Sequence, residues 1–550
     1  MQYTYLQRIY WLHRLGVGVA FTAAMAAVVS PALEAAPRAS HVPDDIMVGE
    51  LLPTGMRITP KAAEGAVFQV LNPNLPTRPD YLADHAVSTT LSPDGHTLLV
   101  LTSGYNRNNA PDGKRIAAES NEYVFVYDVS TGTPVKRQVL QVPNTFVGLA
   151  WNPKRPEFYV AGGVDDNVHV YSLSGSTWAE TGTPIPLGHT SGLGLGVRPL
   201  AAGLAVNASG TRLMVTNYEN DSVSLIDIDK RSEIAEIDLR PGKVNAAQAG
   251  VPGGEYPYAV AFRGDTKAYV SSQRDREIVV LGITNDALRV MERIKLAGQP
   301  NKMILNRNQS QLLVAVDNTD TVAIVDTASN RVVEEFGVTA PKKVFRKSKQ
   351  LKGANPNGLA LSPDEHTLFV TNGGTNTVAV VQLGNGGSHA DDGDDDRERL
   401  DKNRVIGLIP TGWYPNDVTV SHDGRMLYVV NGKSNAGPNP GACRDTLSIA
   451  PGSLDPCRGR NQYIWQLEKA GFLTVPIPSA AELARLTWQS AYNNNFPIVK
   501  RHNHNNSIMA FLRGRIDHVI YVVKENRTYD QVLGALEKGN GDPSLAILAP

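Results

Sequence analysis

The chain alternates short apolar runs with polar turns, in a unit that recurs through most of its length. One copy reads Asn207-Ala208-Ser209-Gly210, then Arg212-Leu213-Met214-Val215-Thr216-Asn217, then Ser222-Val223-Ser224-Leu225-Ile226-Asp227. The same order returns at Ser362-Pro363-Asp364-Glu365, before the runs 367–372 and 377–381, and at Ser421-His422-Asp423-Gly424, before the run 426–431. With weaker copies, seven units start at positions 92, 152, 207, 263, 306, 362 and 421. Pro, Asp, Asn and Gly at the start of each unit pre-set a tight turn. The runs that follow are rich in Val, Ile, Leu, Tyr and Thr, which predicts strands. They are too short and too β-branched for a helical repeat. They are apolar on successive residues rather than alternating, as strands covered on both faces are. Steps of 43 to 60 residues fit one four-stranded blade each. The predicted fold class is therefore all-β, a seven-bladed β-propeller over residues 51–478, with an α/β segment of helix, strand and helix after it.

A ring of blades has to close. Gly407-Leu408-Ile409-Pro410-Thr411-Gly412 is echoed near the beginning of the chain by Glu50-Leu51-Leu52-Pro53-Thr54-Gly55. The echo predicts that residues 51–54 supply the outer strand of blade seven, beside a third strand at residues 471–476, because closure removes exposed sheet edges. Tyr256-Pro257-Tyr258, Gln299-Pro300-Asn301, Asn355-Pro356-Asn357 and Tyr414-Pro415-Asn416 each precede an innermost strand. Turn chemistry that aims each strand accounts for the repetition. The sharper alternative is a binding rim at the channel mouth, with Tyr256, Asn301, Asn357 and Asn416 offering phenol and amide groups.

The strand signature is legible in Met214-Val215-Thr216-Asn217, Phe369-Val370-Thr371-Asn372 and Tyr428-Val429-Val430-Asn431. In these residues the chain resembles the YVTN-type seven-bladed β-propellers. That resemblance implies a fold and leaves function open, because propellers host unrelated activities.

After residue 478 the pattern changes. Residues 480–492 read as a helix with Ser479 and Glu482 as a capping box, followed by a polar linker to residue 515. Residues 516–524 read as a short buried strand. Thr528 and Gln531 form a second capping box for a helix over 529–538. Ile516-Asp517-His518-Val519, then Glu525-Asn526-Arg527-Thr528-Tyr529-Asp530, then Leu533-Gly534, resembles the opening motif of the bacterial phosphoesterase family of the alkaline-phosphatase superfamily. The resemblance implies a metal-dependent phosphoester hydrolase in the complete protein. Glu525 and Asn526 would help hold a divalent metal, and Arg527 would contact phosphate. A carboxylate and an amide oxygen are suitable hard ligands for such a cation. Thr528 and Tyr529 stand where the family more often has Ser-Phe. Only 34 residues run from Asp517 to Pro550, too few for that catalytic domain. The expectation is a chain that holds the start of the domain (516–550), lacks the nucleophile and most metal ligands, and is inactive by itself.

The first 32 residues read as a signal peptide. Arg8, His13 and Arg14 precede an uncharged, mostly apolar run over 15–29, and Ser30-Pro31-Ala32 offers small residues for cleavage after Ala32. Residues 33–50 lead into the ring. An uncleaved anchor is the alternative, although the run is short for a span. The expected address is periplasmic or secreted, with no membrane span after cleavage. Cys443 and Cys457, the only two cysteines, share one Pro/Gly-rich loop. In an oxidising compartment they can pair and close it, worth about 3 kcal/mol in the chain-entropy picture. Two unpaired loop thiols are the alternative.

Composition narrows the function classes. Lys plus Arg (53) balances Asp plus Glu (54), which gives no global attraction to nucleic acid. Two cysteines make no cysteine zinc site, and no phosphate-binding Gly loop occurs. The acidic run 391–398 does not match a calcium loop and reads as a solvated insertion. His502 and His504 read as linker, and His189 as a residue of an inter-blade loop without a role. Two functions remain. One is a phosphoester hydrolase whose propeller positions substrate. The other is a propeller that binds a protein or small-molecule ligand by itself, with no cofactor expected. A lactonase-like propeller enzyme is a third reading, and no catalytic residue is assigned for it.

Overall fold

The computed structural model describes residues 46–110, 114–190, 192, 194, 200–345, 352–384, 403–436, 468–496, 510–523, 527–539 and 541–546. Seven antiparallel sheets follow one another around a ring. Blade one is built from Ala86–Leu91, Thr97–Thr102, Glu122–Asp128 and Val135–Val142, from the innermost strand outward. Blades three to six repeat this plan from Ala201–Val206, Pro257–Arg263, Pro300–Leu305 and Pro356–Leu361 as innermost strands. Blade two is the irregular one: its inner strand Leu149–Trp151 is short, and Ile185–Pro186 adds a fifth strand against Asn167 and Val168. The seven turn-and-strand copies read from the sequence thus become seven blades.

The apolar runs are explained by where they lie. In blade one Leu98, Leu99, Val100 and Leu101 are all fully buried, because each face of the sheet packs against a neighbouring blade. The outermost strands meet solvent and return to mixed patterning, as in Arg331–Gly337.

Closure uses an N-terminal strand, but a different one from the strand expected. Val67–Val70 pairs with Glu468–Pro476, with Val67 opposite Thr474 and Val70 opposite Gly471. The expected segment instead forms a two-stranded hairpin, Glu50 opposite Ile58 and Leu51 opposite Arg57. Pro53-Thr54-Gly55 is a turn here, with Gly55 at φ 79° and its N–H donating to the Leu52 carbonyl at 2.9 Å. The similar Leu408-Ile409-Pro410 is a strand because a ladder partner, Thr377–Gln382, lies beside it.

The helix Ala480–Asn493 is capped by Ser479, whose side chain accepts from the Glu482 N–H at 3.3 Å. The Glu482 carboxylate turns elsewhere and accepts from the Glu64 N–H at 2.6 Å. The helix lies on the outer strand of blade six, where Thr487 Oγ1 accepts from the Leu408 N–H at 2.9 Å. A Cβ on Gly407 would fall 2.3 Å from Leu483 Cγ, so glycine is what lets helix and strand meet. The N-terminal arm binds the other side of the helix. Gln489 exchanges hydrogen bonds with the Met47 backbone at 2.8 and 2.7 Å, and Arg485 donates to the Ala62 carbonyl at 2.6 Å. Arm and helix together cover the sheet edge beside the closure.

Residues 516–523 are not the buried strand expected of them. They carry no strand pairing, and Val519, Ile520, Tyr521 and Val522 are each at least 80% exposed. A strand needs a neighbour for its backbone hydrogen bonds, and the described residues offer this segment none. The second capping box does form, with Thr528 and Gln531 reciprocally bonded, but its helix is the short Tyr529–Leu533 rather than 529–538.

Candidate functional site

The channel mouth is shaped by a repeated backbone feature. The residue before the innermost strand has a positive φ in five blades: His85 (47°), Leu200 (69°), Tyr256 (54°), Asn355 (53°) and Tyr414 (55°). Such angles are strained for residues with a Cβ and persist only where the surroundings fix them. A recurrent hydrogen bond does this. The carbonyls of His85, Leu200, Tyr256, Asn355 and Tyr414 accept from Ser103, Tyr218, Gln273, Gly373 and Gly432 at 2.9–3.1 Å. Each donor follows the end of the second strand or sits just inside it. Proline then opens the inner strand in blades four to seven, and a bulge follows it at once.

The bulge turns the next side chain toward the neighbouring blade, and this fixes where the sequence-predicted rim residues lie. Asn301, Asn357 and Asn416 are fully buried. Gln273 donates to Asn301 at 2.9 Å, Asn301 donates to Asn357 at 3.2 Å, and Asn416 donates to the Ala86 carbonyl at 2.7 Å. The three amides therefore join blade four to five, five to six, and seven to one. Tyr256 is half-buried, with its ring 4.9 Å from that of Tyr218. The next inner-strand position holds Lys302 in blade five and Asp417 in blade seven, and their charged ends meet at 2.8 Å. The equivalent residue of blade six is Gly358, which has no side chain to obstruct them.

Beside the mouth, over blades one and two, lies a cavity of about 300 Å³. Phe146, Val147, Val164 and Leu200 form its apolar wall, and residues 103–107 with Arg115, Ser120 and Asn121, between the second and third strands of blade one, form the other. Asp84 and Glu122 lie beneath these residues, both buried. Glu122 Oε2 accepts from Thr102 Oγ1 at 2.7 Å and from Asn106 Nδ2 at 2.8 Å. Asp84 accepts from the Tyr105 N–H with both oxygens, at 3.0 and 3.1 Å. Burial pushes Glu122 up to about 7. Burial and the Glu122 charge push Asp84 well above the usual carboxylate range. Burial, helped by Lys433, lowers His85 to about 4, so its imidazole is neutral. Perturbed titratable groups lining a concave site mark a functional candidate.

Sequence reading missed Asp84, His85 and Glu122. Two signals were available. His85 holds the same pre-strand position as Tyr256 and Tyr414, and the loop of blade one is far longer than its counterparts in blades two to six.

His189, read as having no role, is a buried junction between blades two and three. Its Nε2 lies 2.6 Å from Asp166 Oδ1 and its Nδ1 2.7 Å from Glu236 Oε1. Burial opposes the charged ring, but the hydrogen bonds to Asp166 and Glu236 prevail and raise it to about 9. No group of three or more His, Cys, Asp or Glu side chains suited to a metal occurs among the described residues. Glu525 and Asn526, the expected metal ligands, lie outside them, as do Cys443, Cys457, residues 391–398, His502, His504 and the segment read as a signal peptide. Arg527 is exposed. No helix among the described residues is long and apolar enough to cross a membrane.

No protein-family model and no curated protein matches the chain. Solved structures similar to it include a streptogramin B lyase, at 13% identity over 75% of this chain and 99% of that one, with a TM-score of 0.44. The WD40 repeats of RRP9 match at 11% identity over 77% and 100%, with a TM-score of 0.48. A Kuenenia stuttgartiensis hydrazine synthase chain matches at 20% identity over 55% and 95%, with a TM-score of 0.33. The propeller assignment rests on the strand ladders of the chain itself, and its function is read from its own residues.

Proposed function

We propose that the propeller is a small-molecule-binding module of an exported protein, and that it takes its ligand in the cavity at the channel mouth over blades one and two. The observation that carries this reading is the cavity itself. It sets an apolar wall around Phe146 and Leu200 against polar groups of the blade-one loop, including Arg107 and Arg115, the usual constitution of a ligand site. The test is calorimetric titration of soluble metabolites against the parent and a Val164→Trp variant, whose indole fills the space. The reading expects a ligand that binds the parent and is lost in the variant. Binding that is indifferent to Val164→Trp would refute the placement. Export rests on the basic, apolar and small-residue order of residues 1–32, and predicts a mature protein beginning at Leu33 in a periplasmic or secreted fraction.

A second reading concerns the complete protein, as a metal-dependent phosphoester hydrolase of the kind its Glu525-Asn526-Arg527-Thr528 motif resembles. A specific observation favours it. Val519–Val523 and the apolar Tyr529, Leu533 and Leu536 are exposed, as the first strand and helix of an α/β sheet would be without the rest of that sheet. Glu525 and Asn526 would bind the divalent metal, Arg527 would meet the phosphate, and the propeller would position substrate. A version extended through the whole domain should hydrolyse aryl phosphates with added divalent metal, and Glu525→Ala should abolish turnover. An extended Glu525→Ala protein as active as its parent would contradict the assignment.

A further inference from the structure

The two walls of the cavity over blades one and two differ in what they can offer a ligand. Phe146, Val147, Val164 and Leu200 present carbon, which gains by being covered. On the opposite wall several polar side chains are already spent within the protein. Asn106 donates to Glu122 at 2.8 Å, and its oxygen accepts from Tyr81 Oη at 2.9 Å and from the Asp84 N–H at 3.0 Å. Ser103 Oγ donates to the Thr145 carbonyl at 3.1 Å. Ser120 Oγ accepts from the Asn108 N–H at 2.9 Å and donates to the Ile116 carbonyl at 2.7 Å. Groups so satisfied gain little from a ligand.

Arg115 is different. Its backbone is held by a short antiparallel pairing, with Arg115 opposite Asn109, the Ala110 N–H donating to the Lys114 carbonyl and the Ile116 N–H to the Asn108 carbonyl, both at 2.8 Å. Its Nη2 donates to the Ser120 carbonyl at 2.7 Å, which fixes the guanidinium on the cavity lining. A guanidinium carries five N–H donors, so most of them remain for a ligand. No acid pairs with Arg115 among the described residues. The acids around it are engaged elsewhere: Glu119 lies 3.0 Å from Arg78, and Glu468 lies 3.1 Å from Lys433. Asp84 takes the Tyr105 N–H and faces the charge of Lys469, while Glu122 takes Thr102 and Asn106. His85 is neutral.

We propose that the ligand of this cavity is an amphiphilic carboxylate, whose apolar body lies on the Phe146–Leu200 wall and whose carboxylate meets the Arg115 guanidinium. This names the ligand class of the binding reading above and rests on that reading. The planar fork of guanidinium donors matches the two oxygens of a carboxylate. An uncharged body covers the carbon wall but leaves the cation to water. A small hydrophilic anion meets the cation but leaves the wall bare. A cavity of about 300 Å³ has room for an aromatic ring with a short acidic arm. Arg115 is exposed, so the ion pair adds a few-fold in affinity rather than orders of magnitude.

The experiment is calorimetric titration of the full chain, at neutral pH and low salt, with 3-phenylpropionate and with its uncharged amide. The parent should bind the carboxylate about fivefold more tightly than the amide. Arg115→Gln should bind the two alike, and Arg115→Glu should favour the amide. Val164→Trp should lose both. A carboxylate preference that survives in Arg115→Gln overturns the assignment, as does a parent that binds the two probes equally or binds neither. The cavity reading is judged apart from this, by whether the amide and the wider set of metabolites are lost in Val164→Trp.

Discussion

Lys302 Nζ meets Asp417 Oδ2 at 2.8 Å, which ties blade five to blade seven across the end of blade six. Asp417 is fully buried and also accepts from the Thr89 N–H of blade one at 2.6 Å, so one carboxylate joins three blades. Removing its cation leaves a buried charge unpaired. Lys302→Met should therefore destabilise the propeller by about 3 kcal/mol, and Lys302→Met with Asp417→Asn should recover much of that loss. Urea unfolding of the single and double variants measures both. Equal midpoints for Lys302→Met and the parent would remove the ion pair from the account of ring stability.

The His189 junction gives a pH dependence of defined sign. Its imidazole is raised to about 9, above the ordinary histidine value of 6.5. A base raised in the folded state contributes stability that is fully present below the unfolded value and is lost as pH rises through the folded one. Unfolding midpoints should fall between about pH 7 and 10 in the parent, and His189→Gln should lack that part of the fall. Superimposable profiles would show that the ring is not charged in the native state.

Gly407 and Leu483 occupy the contact between blade six and the helix Ala480–Asn493. Gly407→Ala should force the helix outward and cost about 1–3 kcal/mol, as overpacking does. Leu483→Ala should cost stability alone yet relieve the clash in the Gly407→Ala background. A double-mutant cycle with no coupling would mean that the helix adjusts without strain.

The exposed run Val519–Val523 is β-branched, uncharged and free of proline, which makes it a site for strand pairing between molecules. Residues 1–550 should self-associate at micromolar concentration, and Ile520→Lys should reduce this. Sedimentation velocity of the two proteins compares them directly. Identical association in both would place the contact elsewhere.

Cys443 and Cys457 should form a disulfide in the exported protein, with α-carbons about 4.4–6.8 Å apart. Alkylation without reductant followed by mass spectrometry counts the thiols. Two labelled cysteines in the native protein would exclude the bridge.

Chain order alone determined the seven blades. A turn such as Ser421-His422-Asp423-Gly424 and an apolar run such as Thr367–Asn372 are set by residues next to one another, so their chemistry can be read locally. The caps of Ser479 and Thr528 were legible for the same reason: donor and acceptor are three residues apart. Closure was not, because Val67 meets Thr474 across the whole ring, and nothing in Val67–Val70 distinguishes it from the echo at Leu51 until a ladder partner is in place. The strand expected at 516–524 failed on the same ground over its described residues, 516–523. Tertiary structure alone decided the candidate site. Asn301, Asn357 and Asn416 could be read either as turn chemistry or as a binding rim, and a bulge in each inner strand makes them the joints between blades. Asp84 and Glu122 lie far apart in the chain and belong to no motif legible in it. Folding removes both from water beneath the same few residues, and that desolvation, a property of the assembled ring and not of either residue, raises both carboxyls above their usual range.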